Sequence, residues 1–299
     1  MRLIKQSFEI WNQPAGLEGV YKQIEKAGRV CYKSEDKITE DSAKPFVDRM
    51  IKSGHGAMLE HGTVYMFMPI GCDKHDYHVA WKYHKNKYSK VIIRNEHFLL
   101  NNNGYYITTN FRVLVENGWL DDLKYICEPT EYHERRVTVH FVCDRGVSHE
   151  FVRHRVMSFA QESTRYCNYS KDKFGNELTF IKPCWLDIPT GHYAYWDGDW
   201  CDIDKMKIQL PEGEHKDIDA FLWTLNNAET HYTLLINSGW KPQEARAVLP
   251  NSLKTELVMT GFVSDWKHFF ELRCDSAAHP QARELAIPLR EEFIKRNYI

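Results

Sequence analysis

The most constraining feature of the sequence is a helical stripe in its last third. Apolar residues recur there three or four positions apart, and Gly239 follows them: Ile218, Phe221, Leu222, Leu225, Ala228, Tyr232 and Leu235. This period predicts an amphipathic helix of about five turns, ended near the glycine, with one face buried. A chain that carries such a stripe needs a second apolar layer to cover it.

Shorter extended and helical segments are distributed over the rest of the chain. Apolar, often β-branched runs predict strands at 1–10, 63–68, 106–108, 138–143 and 177–181. Helical spacing predicts further helices at 17–28, 42–54, 110–125, 266–275 and from Pro280 onward. We expect Gly28 to end the first of these helices and Gly118 to interrupt the third. The aromatic-rich segment 184–209 has no period and is expected to be a surface insertion.

The order of these segments predicts an α+β fold in one domain. Strands and long helices are mixed without a regular βαβ alternation, and the sequence contains no repeat, no Gly/Ser- or Pro-rich linker and no Gly-rich dinucleotide fingerprint. We therefore expect residues 1–299 to form a single domain, in which a mixed or antiparallel sheet is flanked by long helices.

Composition narrows the class of protein. The formal net charge of −2 argues against a general nucleic-acid binder, which would carry a basic excess. No apolar run approaches the roughly 18 residues of a membrane span, and the start of the chain lacks a signal-peptide core. The eight cysteines are scattered without a CxxC pair, which is typical of free thiols in a reducing compartment. We expect a soluble, cytoplasmic protein with no membrane or nucleic-acid partner.

A basic segment in the middle of the chain carries the strongest functional signal. Residues 149–170 read HEFVRHRVMSFAQESTRYCNYS, and Ser148 is predicted to cap a helix that runs into this segment. Consecutive helical residues point about 100° apart, so Arg153, His154 and Arg155 cannot share one face. Planar guanidinium groups suit phosphorylated ligands. A solvated basic turn is the simpler interpretation of such a triplet taken alone.

The residues after the triplet change that interpretation. Arg153-His154-Arg155, seven further residues, Ser163 and then Arg165-Tyr166 form a pattern that resembles the signature of the flavin-dependent thymidylate synthases. Segments elsewhere resemble the same family in the expected order: Glu60-His61 before a strand, Ala245-Arg246 with Leu249-Pro250, and Leu272-Arg273. The chain departs from the family pattern where many members have Asn-Glu or Asn, namely at Ala160-Gln161, Phe262 and His268.

The resemblance implies a reaction, its ligands and an assembly. The reaction would be the reductive methylation of dUMP to dTMP, with methylenetetrahydrofolate as carbon donor, NADPH as reductant and FAD as cofactor. The catalytic residue would be Arg273, which would stabilise negative charge on the pyrimidine, and His61 would lie near flavin and folate. The assembly would be a homotetramer with shared active sites. Contacts to FAD are implied for Thr63, Arg153, His154, Arg155, Gln161 and His268. Contacts to dUMP are implied for Glu150, Arg153, Gln161, Glu162, Ser163, Thr164, Arg165 and Arg246.

Other interpretations of the same residues remain open. Histidines 75, 78 and 84 could share a helix face, but no carboxylate or Cys completes a metal site, so we expect no metal. A nucleophilic Ser163 would need an adjacent base, which favours a role in substrate binding. Cys184 follows a proline but precedes Trp185, and we interpret it as structural. The competing function is a non-catalytic protein that binds RNA or another polyanion through the arginine cluster.

Overall fold

The computed structural model describes residues 1–70, 74–95, 103–196, 199–202 and 216–299, and these form eleven strands and ten α-helices. The strands are β1 (Arg2–Ile4), β2 (Ser7–Trp11), β3 (Thr63–Pro69), β4 (Lys90–Arg94), β5 (Gly104–Asn110), β6 (Arg136–Asp144), β7 (Ser158–Gln161), β8 (Thr179–Ile181), β9 (Gly191–Trp196), β10 (Asp199–Asp202) and β11 (Lys254–Phe262). The helices are α1 (Gly16–Tyr32), α2 (Ala43–Lys52), α3 (Gly56–Leu59), α4 (Lys74–His84), α5 (Phe111–Asn117), α6 (Arg145–Phe151), α7 (Lys216–Asn237), α8 (Pro242–Ala245), α9 (Val263–Arg273) and α10 (Pro280–Lys295).

A central antiparallel sheet, in the order β2-β6-β11-β7, positions the functional segment. One face is covered by α6, α9 and α10, and Trp266, Phe269 and Phe141 lie fully buried in the resulting aromatic core. The Trp266 indole N–H donates to the carbonyl of Val137 at 3.1 Å, so this buried polar group is satisfied. The C-terminal half of α1 covers the opposite face through Ala27 and Val30.

Two smaller sheets flank the central one, and together they confirm the α+β class. The antiparallel sheet β3-β5-β4 packs with α1, α2, α4 and α5 around a second core. The mixed sheet β10-β9-β1-β8 contains a parallel pair, β1 with β8, and covers α7. The apolar stripe of α7 is confirmed, because Ile218, Leu222, Leu225, Ala228 and Tyr232 are buried against this sheet, and Gly239 follows with a positive φ of 93°.

The first two strands and the central strand differ from the sequence predictions. The segment 1–10 forms two strands, β1 and β2, which belong to different sheets. Strand β11 pairs with β6 along its whole length and with β7 on its other side, and we did not predict it. Its residues are buried on both faces, so it lacks the alternation by which a half-exposed strand is recognised.

Three further predictions were wrong for identifiable physical reasons. Helix α1 continues through Gly28 to Tyr32, because the glycine serves close packing: a Cβ there would lie 2.5 Å from the Phe46 ring. Helix α6 begins earlier than Ser148, because the Asp144 carboxylate accepts from the amide of Val147 at 2.6 Å. The expected surface insertion at 184–209 contains β9 and β10 where it is described, and its Tyr193 and Trp200 are buried.

The described residues include no helix that is both long and apolar enough to cross a bilayer. The seven described cysteines are all free thiols. Cys72 lies outside the described residues.

Replacing Leu257 by Ala tests the central position of β11. Leu257 is fully buried opposite Phe141, so Leu257→Ala should lower the free energy of unfolding by about 2–5 kcal/mol. Ile294→Ala, at a half-exposed position of α10, should change it by no more than about 0.5 kcal/mol. Denaturant unfolding of both variants measures the difference, and equal losses would contradict a close-packed central strand.

Candidate functional site

The arginine–histidine triplet lies in a turn between α6 and β7. Phe151 ends α6 inside the aromatic core, in contact with the rings of Phe141 and Phe269. The turn that follows buries His154 and leaves Arg153 and Arg155 exposed. The triplet therefore does not form one solvated face. Its central residue points into the protein, while the two guanidinium groups remain available to ligands.

The catalytic residue predicted from the resemblance, Arg273, lies beside this turn at the end of α9. Its guanidinium donates to the Glu150 carboxylate at 2.7 Å, to the Glu150 carbonyl at 2.7 Å and to Nε2 of His154 at 3.1 Å. The structure thus brings Arg273 into contact with two predicted residues, His154 and Glu150, which lie 119 and 123 positions before it. His268 stands next to them, with its ring centroid 6.1 Å from that of His154.

The hydrogen bond from Arg273 fixes the protonation of His154. An imidazole can accept at Nε2 only if that nitrogen carries no proton, so His154 is neutral with its proton on Nδ1. Burial lowers the pKa of His154 to about 4, and the positive charge of Arg273 contributes to the same shift. His154 therefore positions Arg273 as a hydrogen-bond acceptor and carries no charge at neutral pH.

A second group of predicted residues forms a turn directly after β7. The amide of Ser163 donates to the carbonyl of Cys31 at 3.0 Å, and the Ser163 hydroxyl accepts from the amide of Arg165 at 3.3 Å. Arg246, from the short 3₁₀ turn after α8, donates to the Thr164 hydroxyl at 3.1 Å. Arg165 and Arg246 are both exposed. Two exposed guanidinium groups brought together in this way suit a phosphate.

The Ser163 hydroxyl has no base beside it among the described residues. Among the described residues its hydrogen-bond partner is the amide of Arg165, and His154 bonds to Arg273 instead. A serine without an adjacent base is a weak nucleophile, so this geometry favours ligand binding over covalent catalysis. Cys184 is exposed, and partial burial raises the pKa of its thiol, which also gives no activated nucleophile.

The predicted dUMP contact Glu162 faces inward. Its carboxylate accepts from the Lys254 ammonium at 2.8 Å and from the Tyr169 hydroxyl at 3.1 Å, and its side chain is fully buried. Direct contact between this carboxylate and a ligand would require that ion pair to break. Gln161 is also engaged, since its amide donates to the hydroxyls of Ser148 at 2.9 Å and Thr255 at 3.3 Å.

Lys254 belongs to a buried charge network that the sequence did not indicate. Its ammonium lies between Glu162 and Glu256, and Glu256 also accepts from Lys33 at 2.9 Å and from His140 at 2.9 Å. Burial alone would raise the pKa of Glu256, but His140 and the two ammonium groups hold it well below its usual range. Lys254 and Glu256 lie two positions apart on one face of β11. Their partners Glu162 and Lys33 are 92 and 223 positions away, and so no local motif revealed the network.

The two predicted residues at the start of β3 are buried. His61 is fully buried, its Nδ1 bonds to the Thr260 hydroxyl at 2.8 Å and its Nε2 has no partner. Burial lowers the pKa of His61 to about 3, with a contribution from the charge of Arg136. The hydroxyl of Thr63 accepts from Arg136 at 3.2 Å. Contacts of His61 and Thr63 with flavin or folate stay predictions.

A cavity of about 600 Å³ opens beside Arg155. Its walls come from the triplet turn, from the segment between α4 and β4, and from the start of α9. Phe262 and Asp265 line the α9 side. Burial raises the pKa of the Asp265 carboxyl, which also accepts from the amide of Phe262 at 3.0 Å. Arg155 is the predicted FAD contact that reaches this cavity.

No group of three or more potential metal-ligating side chains comes together in the part of the chain that the structure describes. His78 and His84 lie on α4, and the side chain of His75 is outside the described residues.

Comparison with known proteins identifies relatives of the functional segment. Residues 130–296, more than half of the chain, match the family described as thymidylate synthase complementing protein. The flavin-dependent thymidylate synthase of Pyrococcus furiosus is 31% identical over 160 residues, which cover 52% of this chain and 53% of that protein. Its namesake from Pyrococcus abyssi is 29% identical over 157 residues, 52% of each chain. The chain thus spans about half the length of the curated relatives it matches.

A crystal structure of the UMP/dUMP methylase PolB from Streptomyces cacaoi, bound with 5-Br dUMP, aligns with 99% of this chain and 93% of its own. The TM-score is 0.42 at 18% identity, and we draw no conclusion from this level of similarity.

The protonation of His154 gives a pH prediction. The pKa of an unfolded His is about 6.5, whereas that of folded His154 is about 4. Since the unfolded chain binds the proton first, the free energy of unfolding should fall as the pH drops from 6.5 to 4. Arg273→Gln should raise the pKa of His154 toward, but not to, 6.5, because burial remains. NMR titration of the His154 ring measures both values. A His154 that titrates near 6.5 in the unmodified protein would contradict the buried, Arg-bonded geometry.

Proposed function

Because this chain belongs to the thymidylate synthase complementing protein family, we propose that it is a flavin-dependent thymidylate synthase that methylates dUMP to dTMP. The observation that carries this proposal is the convergence of Glu150, His154 and Arg273 from two distant segments, both within the family match. Methylenetetrahydrofolate would supply the carbon and NADPH the reducing equivalents.

The Arg273–Glu150 pair suits the edge of a uracil ring. A uracil edge offers an imide N–H next to a carbonyl oxygen. The Glu150 carboxylate can accept from the imide N–H, and the Arg273 guanidinium can donate to the carbonyl oxygen. Arg273 would also stabilise negative charge that develops on the ring, an effect on the order of 3 kcal/mol in comparable sites. His154 would hold the guanidinium in place without adding a charge of its own.

The turn from Ser163 to Arg165 would bind the phosphate of dUMP. Arg165 is exposed on this turn, and Arg246, which is exposed in the 3₁₀ turn after α8, reaches it by donating to the Thr164 hydroxyl. The Lys254 network lies beneath, and it would position the turn rather than contact the nucleotide, because Glu162 is fully buried.

The residues around Arg155 fit a phosphorylated cofactor such as FAD. Arg153 and Arg155 are exposed, neither has a carboxylate partner among the described residues, and Arg155 borders the cavity of about 600 Å³. Bound FAD would supply the redox chemistry of the reaction. In the proposal Arg153 and Arg155 bind it, while Gln161, Thr63 and His268 lie at its edge. His61, which is fully buried, would act on this site only indirectly, through its bond to Thr260 of β11.

Product analysis tests the proposed reaction. Purified protein with dUMP, methylenetetrahydrofolate and NADPH should form dTMP, and omission of any one component should abolish it. A yellow protein that releases flavin on denaturation would support the cofactor. A colourless protein that forms no dTMP when FAD is added, and that binds RNA in a salt-dependent way, would instead support the polyanion-binding alternative.

Substitutions in the turn after β7 test the phosphate site. Ser163→Ala and Arg165→Ala should each raise the dUMP concentration needed for half-maximal rate by about tenfold, because each removes a hydrogen-bonding group from the phosphate. The spectrum of bound flavin should not change. The control is Lys171→Ala, which changes an exposed lysine outside the turn. If Ser163→Ala abolished turnover at saturating dUMP, a catalytic role for the hydroxyl would replace this assignment.

Mixed assemblies test whether active sites are shared between chains. We propose a homotetramer, because Arg153 and Arg155 are exposed on either side of the inward-facing His154, where they could bind ligands held between two chains. Chains carrying Arg153→Ala and Arg273→Ala should each be inactive alone and should recover partial activity when co-assembled. A fully active monomer in light scattering would contradict the proposed assembly, and failed complementation in confirmed mixed tetramers would place both residues in one site of one chain.

A further inference from the structure

The cavity beside Arg155 has a second cationic wall, which comes from outside the family match. Lys87, Tyr88 and Lys90 follow α4 and line the cavity together with Arg155 of the triplet turn. They precede residue 130, where the match begins. Both lysines are exposed, and the Lys90 ammonium lies 5.7 Å from the ring centre of Phe262.

A fourth positive charge, that of Arg136, also lines the cavity. Arg136 donates to the carbonyl of Glu60 at 3.1 Å and to the hydroxyls of Thr63 at 3.2 Å and Ser158 at 3.4 Å. All these acceptors are neutral, and no carboxylate pairs with Arg136 among the described residues. Burial lowers the pKa of Arg136 to about 10, which still leaves it charged at neutral pH.

The two carboxylates at the cavity offset these four charges only in part, although Asp265 is close enough to attract Lys90 and Arg136. Glu60 forms its ion pair with Arg112, and Asp265 caps α9 by accepting from the amide of Phe262. Lys87, Arg136 and Arg155 have no carboxylate within ion-pair distance in the described part of the chain. Several like charges around one cavity repel each other, and a bound anion relieves that repulsion.

We propose that Lys87 and Lys90 are ligand-binding residues, which together with Arg155 and Arg136 hold the diphosphate of a dinucleotide in this cavity. The inference rests on the proposed function, which supplies two such ligands, FAD and NADPH. Arg155 would approach the diphosphate from the triplet turn and the two lysines from the segment after α4. Arg136 would attract the diphosphate through its charge and not through direct hydrogen bonds, because most of its N–H groups already bond to the protein.

The test removes the two lysine charges and leaves the fold unchanged. Lys87→Gln/Lys90→Gln is preferred to a change at Arg136, which connects three segments through its hydrogen bonds. Lys85→Gln is the matched control, since Lys85 is exposed near the same turn but does not line the cavity. Dissociation constants for FAD, NADPH, ADP and riboflavin are measured by titration, with far-UV circular dichroism as a check of folding.

The double variant should bind one of the two dinucleotides at least about tenfold more weakly, and the one affected identifies the occupant. The double variant should bind riboflavin, which has no phosphate, with unchanged affinity. The control variant Lys85→Gln should bind all four ligands with unchanged affinity. Unaltered affinity for both dinucleotides would overturn the inference even if the protein forms dTMP. If the protein binds neither FAD nor NADPH, the proposed function fails, and the titration with ADP then tests the diphosphate site by itself. Weaker ADP binding by the double variant than by the unmodified protein would support the site. Equal ADP binding by the two proteins, or no ADP binding at all, would overturn the inference.

Discussion

The buried ion pairs of Lys254 are the interaction on which the arrangement of the site depends. They connect the central strand β11 to Glu162, at the point where β7 ends and the proposed phosphate turn begins. Through Glu256 they also reach Lys33, at the C-terminal end of α1. A buried pair contributes little net stability, but loss of one partner costs about 3–5 kcal/mol because the other charge stays buried. The network therefore ties strand, helix and turn into one unit.

The sequence predicted the elements whose signal is local. The stripe of α7, the proline at the start of α10 and the strand at 63–68 each follow from spacing or backbone chemistry within a few residues. The central strand β11 was missed, because burial on both faces removes the alternating pattern. Gly28 was assigned to a helix end because the nearby Phe46 ring, which requires it, belongs to another helix.

The same distinction applies to the site. The spacing of the triplet and of Ser163 led to the family, and Glu150, His154 and Arg273 lie together in the structure. Side-chain direction could not be derived in this way. Glu162 occupies a motif position next to Ser163, yet its carboxylate is turned toward Lys254, 92 positions away. Arg136 was not singled out at all, because its hydrogen-bond partners Glu60, Thr63 and Ser158 come from segments distant in sequence.

The neutrality of the two buried imidazoles has a consequence for enzymology. With pKa values of about 4 and 3, His154 and His61 stay neutral between about pH 6 and pH 8. Neither ring can then account for an inflection of rate in that interval. A nucleotide phosphate ester does titrate there, with a second pKa of about 6. An inflection near pH 6 in the dependence on the concentration of the proposed nucleotide substrate would therefore not report the ionisation of these histidines, whereas ionisation of the phosphate would account for it.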